Sequence, residues 1–310
     1  MLNKLKKIRN FALAYLREKK YKGLYQKKIG KFILSDKVAS EIIYTTIVNN
    51  ESCFISRFGS TELSTIIFYL QARKKNLEIN RWTEQNNILC KVSGYFPFTQ
   101  EAMDRFCKFY IGFIQNIDVL GVWEVGEENV AALFHTKIKL IKLRAIEPYY
   151  SVKPWSRALA GKKVLVIHPF AASIKSQYAK RELLFPGTDI LPAFQLQVIP
   201  AVQSIAENRA GFNDWFEALD FMSEQIKKID FDVAIIGAGA YGMPLANFIK
   251  MSLGKTAIHM GGATQLLFGI KGKRWEEHPY ISKLYNEHWI YPSNEEIPAN
   301  YKTVENGCYW

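Results

Sequence analysis

The sequence predicts an α/β protein in which a mainly parallel sheet is flanked by helices. Three observations carry this expectation. Short continuous runs of β-preferring apolar residues, at 163–167 and 233–236, have the pattern of strands buried on both faces of a parallel sheet. Strand patterns alternate with helical ones along the chain, as βαβ units require. At residues 237–242 a strand runs straight into a helix through Gly237, Gly239 and Gly242, a G-x-G-x-x-G spacing that lets backbone amides approach a phosphate.

In chain order, residues 35–50 read as a helix with Val38, Ile42, Ile43 and Ile47 on one face, and residues 52–57 as a short strand. The turn Arg57-Phe58-Gly59-Ser60-Thr61-Glu62 leads into a helix carrying Leu63, Ile66, Ile67 and Leu70. Residues 80–94 and 100–117 look helical, residues 118–123 form a strand, and Glu147-Pro148-Tyr149-Tyr150 lies in a loop. The strand at 163–167 closes on His168, which is either a ligand contact or a core histidine. Helices follow at 173–185 and 214–228, the latter burying Trp215, Leu219, Met222 and Ile226. Residues 256–260 form the next strand, and Gly261-Gly262 leads into a helix at 263–268 in the manner of the earlier glycine turn.

Composition narrows the function classes. At 310 residues, 48% hydrophobic and 14% aromatic, the chain is long and apolar enough for a sizeable core. The net charge of +12 suggests nucleic acid only until it is located: residues 1–31 hold 11 Lys or Arg and one acid, Glu18, leaving 30 basic against 28 acidic side chains elsewhere. No nucleic-acid partner is expected, because no basic patch interleaved with aromatics continues into the body. In residues 1–31, Leu2, Leu5, Ile8, Ala12, Tyr15 and Leu16 recur at helical spacing among lysines and arginines, the pattern of a basic amphipathic helix. Such a helix lies on an anionic membrane surface, each cation adding on the order of 1 kcal/mol; a solvated helix packed on the domain is the plainer reading. Neither a secretory signal nor a spanning helix is expected. The four cysteines form no C-x-x-C pair and read as reduced thiols of a cytosolic protein.

A dinucleotide site would need an acid at the end of the strand after the glycine turn, and that strand ends in His259-Met260-Gly261-Gly262. This argues against a dinucleotide and leaves two stronger readings: glycines that serve only close packing, or a site for another phosphate-bearing ligand. Lys271, Lys273 and Arg274, just beyond the second turn, are three cations in reach of a diphosphate. Arg57 and Glu62 flank a glycine turn at a strand end, where ligands bind in open α/β sheets. Equally, Ser60 caps the next helix and Glu62 favours its first turn.

RFGSTEL at 57–63 resembles the R-F-G-D-G-E element of bacterial GT-D fold glycosyltransferases. The segments SGYFPFT, LPAFQLQVIPAVQS, IIGAGAYGMPLA, IHMGGATQLLFGIKGKRW, LYNEHWIYP and GCYW are similar to the GT-D-like glycosyltransferase family of polysaccharide gene clusters. The resemblance runs from about residue 38 to 310 and is most specific over 237–275. It implies a single Rossmann-like domain of GT-D type over 32–310. The implied activity is a hexosyltransferase type that moves sugar from a nucleotide sugar to a cell-surface polysaccharide or glycan acceptor, free or lipid-linked. With the basic helix, this puts the enzyme in the cytoplasm, peripheral to the inner face of the cell membrane.

In that fold the two acids of the D-x-E element hold a divalent metal, manganese or magnesium, on the donor diphosphate. By position the second acid is Glu62, while Ser60 replaces the first, a poorer ligand for a hard cation. Either another acid completes the site, or Arg57 and the 271–274 cations neutralise the diphosphate without metal. The candidate catalytic residues are thus Glu62 and Arg57. The candidate nucleotide-sugar residues are Gly59, Ser60, Gly237, Gly239, Tyr241, Gly242, Gly261, Gly262, Gln265, Lys271, Lys273 and Arg274. Two alternatives stay open: a nicotinamide or flavin oxidoreductase, and a non-catalytic sugar-nucleotide-binding protein.

Overall fold

A computed structural model describes residues 27, 29–75, 82–84, 87–206 and 208–310. The expected basic helix at 1–31 lies almost wholly outside the described residues, as does the start of the helix expected at 80–94.

Among the described residues eight strands form one sheet: β1 (Ile33–Leu34), β2 (Phe54–Ser56), β3 (Val119–Val122), β4 (Lys139–Lys142), β5 (Lys163–His168), β6 (Gln195–Pro200), β7 (Val233–Ile236) and β8 (Thr256–His259). Their order is β1-β4-β3-β2-β8-β7-β5-β6, and every pairing is parallel. The α/β, Rossmann-like expectation is met. The central strands are buried on both faces because they are apolar on both. Phe54, Leu165, Ile167, Ala234 and Ile236 face one core, and Ile55, Val164, Val166, Val233 and Ile235 face the other.

The helices are α1 (Asp36–Val48), α2 (Ser60–Lys74), α3 (Ile88–Ser93), α4 (Gln100–Ile114), α5 (Ala171–Tyr178), α6 (Arg181–Leu184), α7 (Trp215–Lys227), α8 (Gly242–Leu253), α9 (Thr264–Leu267) and α10 (Lys273–Glu276). Side-chain oxygens of Ser35, Thr99 and Asp214 accept N-terminal amides of α1, α4 and α7, which fixes where those helices begin. α8 stops at Gly254, in the left-handed conformation at φ 64°.

Several local expectations need correction. Ser60 does not cap α2: Gly59 is the N-cap and Ser60 is the first helical residue, exposed to solvent. The helix expected at 173–185 is two, α5 and α6, broken at Lys180. That expected at 263–268 is a single turn, α9, after a 3-10 turn at Gly261–Ala263. Residues 148–150 of the expected loop form a 3-10 turn.

Candidate functional site

The parallel sheet aims the carboxyl ends of β2, β3, β5, β6, β7 and β8 at one edge. There the turns enclose a crevice of about 560 Å³, within the range of small-ligand sites. Arg57, Gly59, Ser60, Glu62, Gly237, Gly239, Tyr241, Gly261, Gly262, Gln265 and Arg274 all line it. Gly242, Lys271 and Lys273 do not. Gly242 abuts the His259 ring. The Lys271 ammonium lies over Tyr285 and Tyr291, 5.5 and 5.7 Å from their ring centroids. Lys273 opens α10 as an exposed residue. Of the three expected cations, Arg274 alone reaches the crevice.

The β2 turn is the most closely packed. Glu62 is only 6% exposed, although it stands in the first turn of a helix. Its Oε2 accepts from the Thr61 hydroxyl at 2.9 Å, and Thr61 in turn takes a very short bond from the Ser93 hydroxyl. The Arg57 guanidinium donates through Nη1 to the Phe58 carbonyl at 2.8 Å and lies 5.1 Å from the Trp123 ring centroid. Its Nε is buried without a partner among the described residues. Trp123 is itself fixed by its indole N–H, which donates to the Phe58 carbonyl at 2.9 Å.

The β7 turn is braced from beneath. Tyr110 donates to the Ala240 carbonyl at 2.5 Å, Tyr241 stacks on Trp215 at 4.9 Å, and the Tyr241 hydroxyl pairs with Ser204 at 2.7 Å. Tyr241 therefore spends its hydroxyl on holding the turn rather than on facing a ligand. Gly239 needs its freedom, since φ is +51°.

Two histidines close the strand ends. Burial pushes the His168 ring down to about 3. Its Nδ1 accepts the Phe170 amide at 3.0 Å, so the neutral ring carries its proton on Nε2. His259 is likewise pushed down to about 3, by burial first and by the Arg57 charge second, and its Nδ1 pairs with Ser56 at 3.0 Å. It occupies the place where a dinucleotide site would carry its acid.

The far wall comes from the C-terminal residues, outside the glycine turns. Tyr309 and Trp310 line the crevice with Glu305. Gln265 ties them down, its amide donating to the carbonyls of Lys271 at 2.8 Å and Tyr309 at 3.1 Å. A Cβ on Gly262 would meet the Tyr309 ring at 2.3 Å, so the glycine is what lets that ring approach. Only the quoted GCYW segment signalled this wall in the sequence.

A divalent metal fits these residues poorly. Among the described residues no three His, Cys, Asp or Glu side chains group as ligands. Ser60 is a neutral hydroxyl, Glu62 is folded onto its own turn, and Glu305 is paired with Arg274. Hard cations take several oxygen ligands, carboxylates above all, and these residues do not supply that set.

A parallel α/β sheet with a ligand-sized crevice over its carboxyl edge, lined by glycine turns and arginines, is a Rossmann-like architecture with its candidate site where such sheets bind ligands. Residues 114–267, about half the chain, match the GT-D-like family, described as a GT-D fold-like domain, and the protein is a member of it. The match takes in β3 to β8 with the β7 and β8 turns, and ends short of the Arg57–Glu62 turn and the far wall. No curated protein and no solved structure matches the chain. No helix among the described residues is long and apolar enough to cross a membrane.

Proposed function

We propose that the protein is a glycosyltransferase that takes its sugar from a nucleotide-sugar donor. The observation that carries this reading is the meeting, in one crevice of a GT-D-like fold, of a buried carboxylate with an arginine whose Nε has no partner among the described residues. Transfer needs positive potential on the leaving diphosphate. Arg57, the backbone amides of Ala238 and Gly239 and Arg274 supply it, and the protonated Nε2 of His168 adds a neutral donor.

In a single displacement the acceptor oxygen bonds to the anomeric carbon as the bond from that carbon to the diphosphate oxygen breaks. The nucleoside diphosphate leaves with the electron pair. Glu62 takes the acceptor proton and releases it to water. The acceptor of this proposal is a glycan, lipid-linked at the inner membrane face, with residues 1–31 as a basic tether.

The test is a panel of nucleoside diphosphates and nucleotide sugars read by thermal shift, then by sugar transfer to a glycan acceptor. Stabilisation by one nucleotide family with transfer supports the reading. Stabilisation by NAD or FAD alone overturns it in favour of an oxidoreductase. Ser60 at the first acid position favours one second reading, a non-catalytic binder, which predicts donor binding with no transfer. For the tether, anionic vesicles should sediment the full chain but not a chain lacking residues 1–31; equal binding by both would sink that part.

A further inference from the structure

Two arginines and three glutamates line the crevice: Arg57 and Arg274 against Glu62, Glu124 and Glu305. A dianionic ligand therefore meets one more acid than base. One of those acids is placed where it competes directly. The Glu305 carboxylate pairs with Arg274 Nη2, while Arg274 Nη1 donates to the Tyr309 hydroxyl at 3.1 Å. The Cys308 thiol donates to the same Glu305 oxygen at 3.0 Å. The backbone is bent to achieve this, since Glu305, Asn306 and Gly307 run consecutively in the left-handed region, at φ 46°, 57° and 74°. Two successive non-glycine residues there carry strain that the surrounding contacts must hold.

We propose that Glu305 is a built-in stand-in for phosphate: it occupies Arg274 in the free protein and gives the guanidinium up to a phosphate oxygen of the bound nucleotide. This rests on the nucleotide-sugar reading above and adds a residue that sets affinity. Both side chains are partly exposed, 37% for Arg274 and 45% for Glu305, so their mutual attraction is screened and weak. A diphosphate offers the guanidinium a bidentate, charge-assisted partner. The exchange is a side-chain event, because the backbone ties from Arg274 N–H to the Cys308 carbonyl and from Gln265 to the Tyr309 carbonyl do not involve Glu305. Tyr309 and Trp310 thus stay on the wall while the charge changes hands.

The test is calorimetric titration of wild type, Glu305→Gln, Arg274→Gln and the double variant with UDP, GDP, CDP, ADP, dTDP and inorganic pyrophosphate. Glu305→Asn serves as a second variant, since asparagine tolerates the left-handed backbone. Losing Glu305 should tighten binding about two- to fivefold, as the loss of a screened ion pair allows. That gain should vanish in the Arg274→Gln background, the non-additivity expected of one shared contact. Unchanged or weaker binding by both Glu305 variants overturns the inference and leaves the transferase reading intact. So does an equal gain without Arg274, which would mean only a general field. If pyrophosphate alone binds and tightens, the exchange stands and the nucleotide donor falls. If neither nucleotides nor pyrophosphate bind any of these proteins, both fall.

Discussion

Glu62 folds back over Gly59 so closely that a Cβ on residue 59 would lie 1.8 Å from its Oε2 and 2.5 Å from its carboxyl carbon. Gly59 has ordinary extended geometry, φ −76° and ψ 143°, so alanine strains no backbone there. The atoms it would meet are the free end of a flexible side chain. Gly59→Ala should accordingly fold, with stability within about 1 kcal/mol of wild type, the poorer N-cap being offset by a stiffer unfolded chain. Its Glu62 carboxylate must swing away from Thr61. If Glu62 is the base, transfer falls about 100-fold in both Gly59→Ala and Glu62→Gln, as loss of general-base catalysis allows. Full transfer by Glu62→Gln would remove it from the mechanism.

The same substitution at Gly242 should do the opposite. That residue is helical, φ −60° and ψ −46°, a conformation in which alanine normally gains. Here a Cβ would meet the His259 ring at 2.4 Å, and that ring is buried and pinned by Ser56. A pinned aromatic cannot swing aside as a carboxylate can, so Gly242→Ala should lose about 1–3 kcal/mol by overpacking. A chemical denaturation midpoint equal to wild type would show that the ring has room to move.

This contrast marks the limit of what the sequence makes legible. The strands that are apolar on both faces, β5, β7 and β8, announce themselves, and so do the helices capped by Ser35, Thr99 and Asp214. β1, β4 and β6 do not: β1 is two residues long, KLIK holds only two apolar residues, and QLQVIP is a half-exposed edge strand ending in proline. The glycine spacing located the crevice, but it could not tell Gly242, which makes room for a core histidine, from Gly237 and Gly239 at the crevice. Nor does any local pattern show that the Lys271 ammonium sits over two tyrosines or that Tyr309 lands on Gly262. Those facts depend on contacts across many residues of chain.

Arg57 gives a third prediction, since a Cβ on Gly261 would lie 3.1 Å from both its Nε and Nη2. The guanidinium is thus wedged between the β8 turn and Trp123, bonded on one side to the Phe58 carbonyl. Arg57→Lys keeps the charge and loses the planar fork and the stacking. Nucleoside diphosphate affinity should fall about tenfold, the equivalent of one charge-assisted hydrogen bond. Unaltered affinity would place the phosphates elsewhere in the crevice.

Stability should also depend on pH in a direction set by the two strand-end histidines. His168 and His259 are held near 3 in the folded protein, against an ordinary 6.5 when unfolded. Between those values the unfolded chain binds more protons, so their contribution is complete above about pH 6.5 and is lost as the pH falls towards 3. The slope is about 1.4 kcal/mol per pH unit for each ring. Glu147 opposes them. Burial raises its carboxyl to about 7, with the Arg57 charge pulling the other way. The folded protein therefore holds that proton while the unfolded chain releases it, and stability gains as the pH falls from 7 to about 4.5. Among these three groups two lose where one gains, so their combined slope from pH 6.5 to 4.5 is that of about one proton, steepening to about two below 4.5. His168→Gln removes one titrating ring and should flatten the upper window while leaving stability at pH 8 lowered only by repacking. A melting profile that keeps its full acid slope in that variant would show that His168 is not buried neutral.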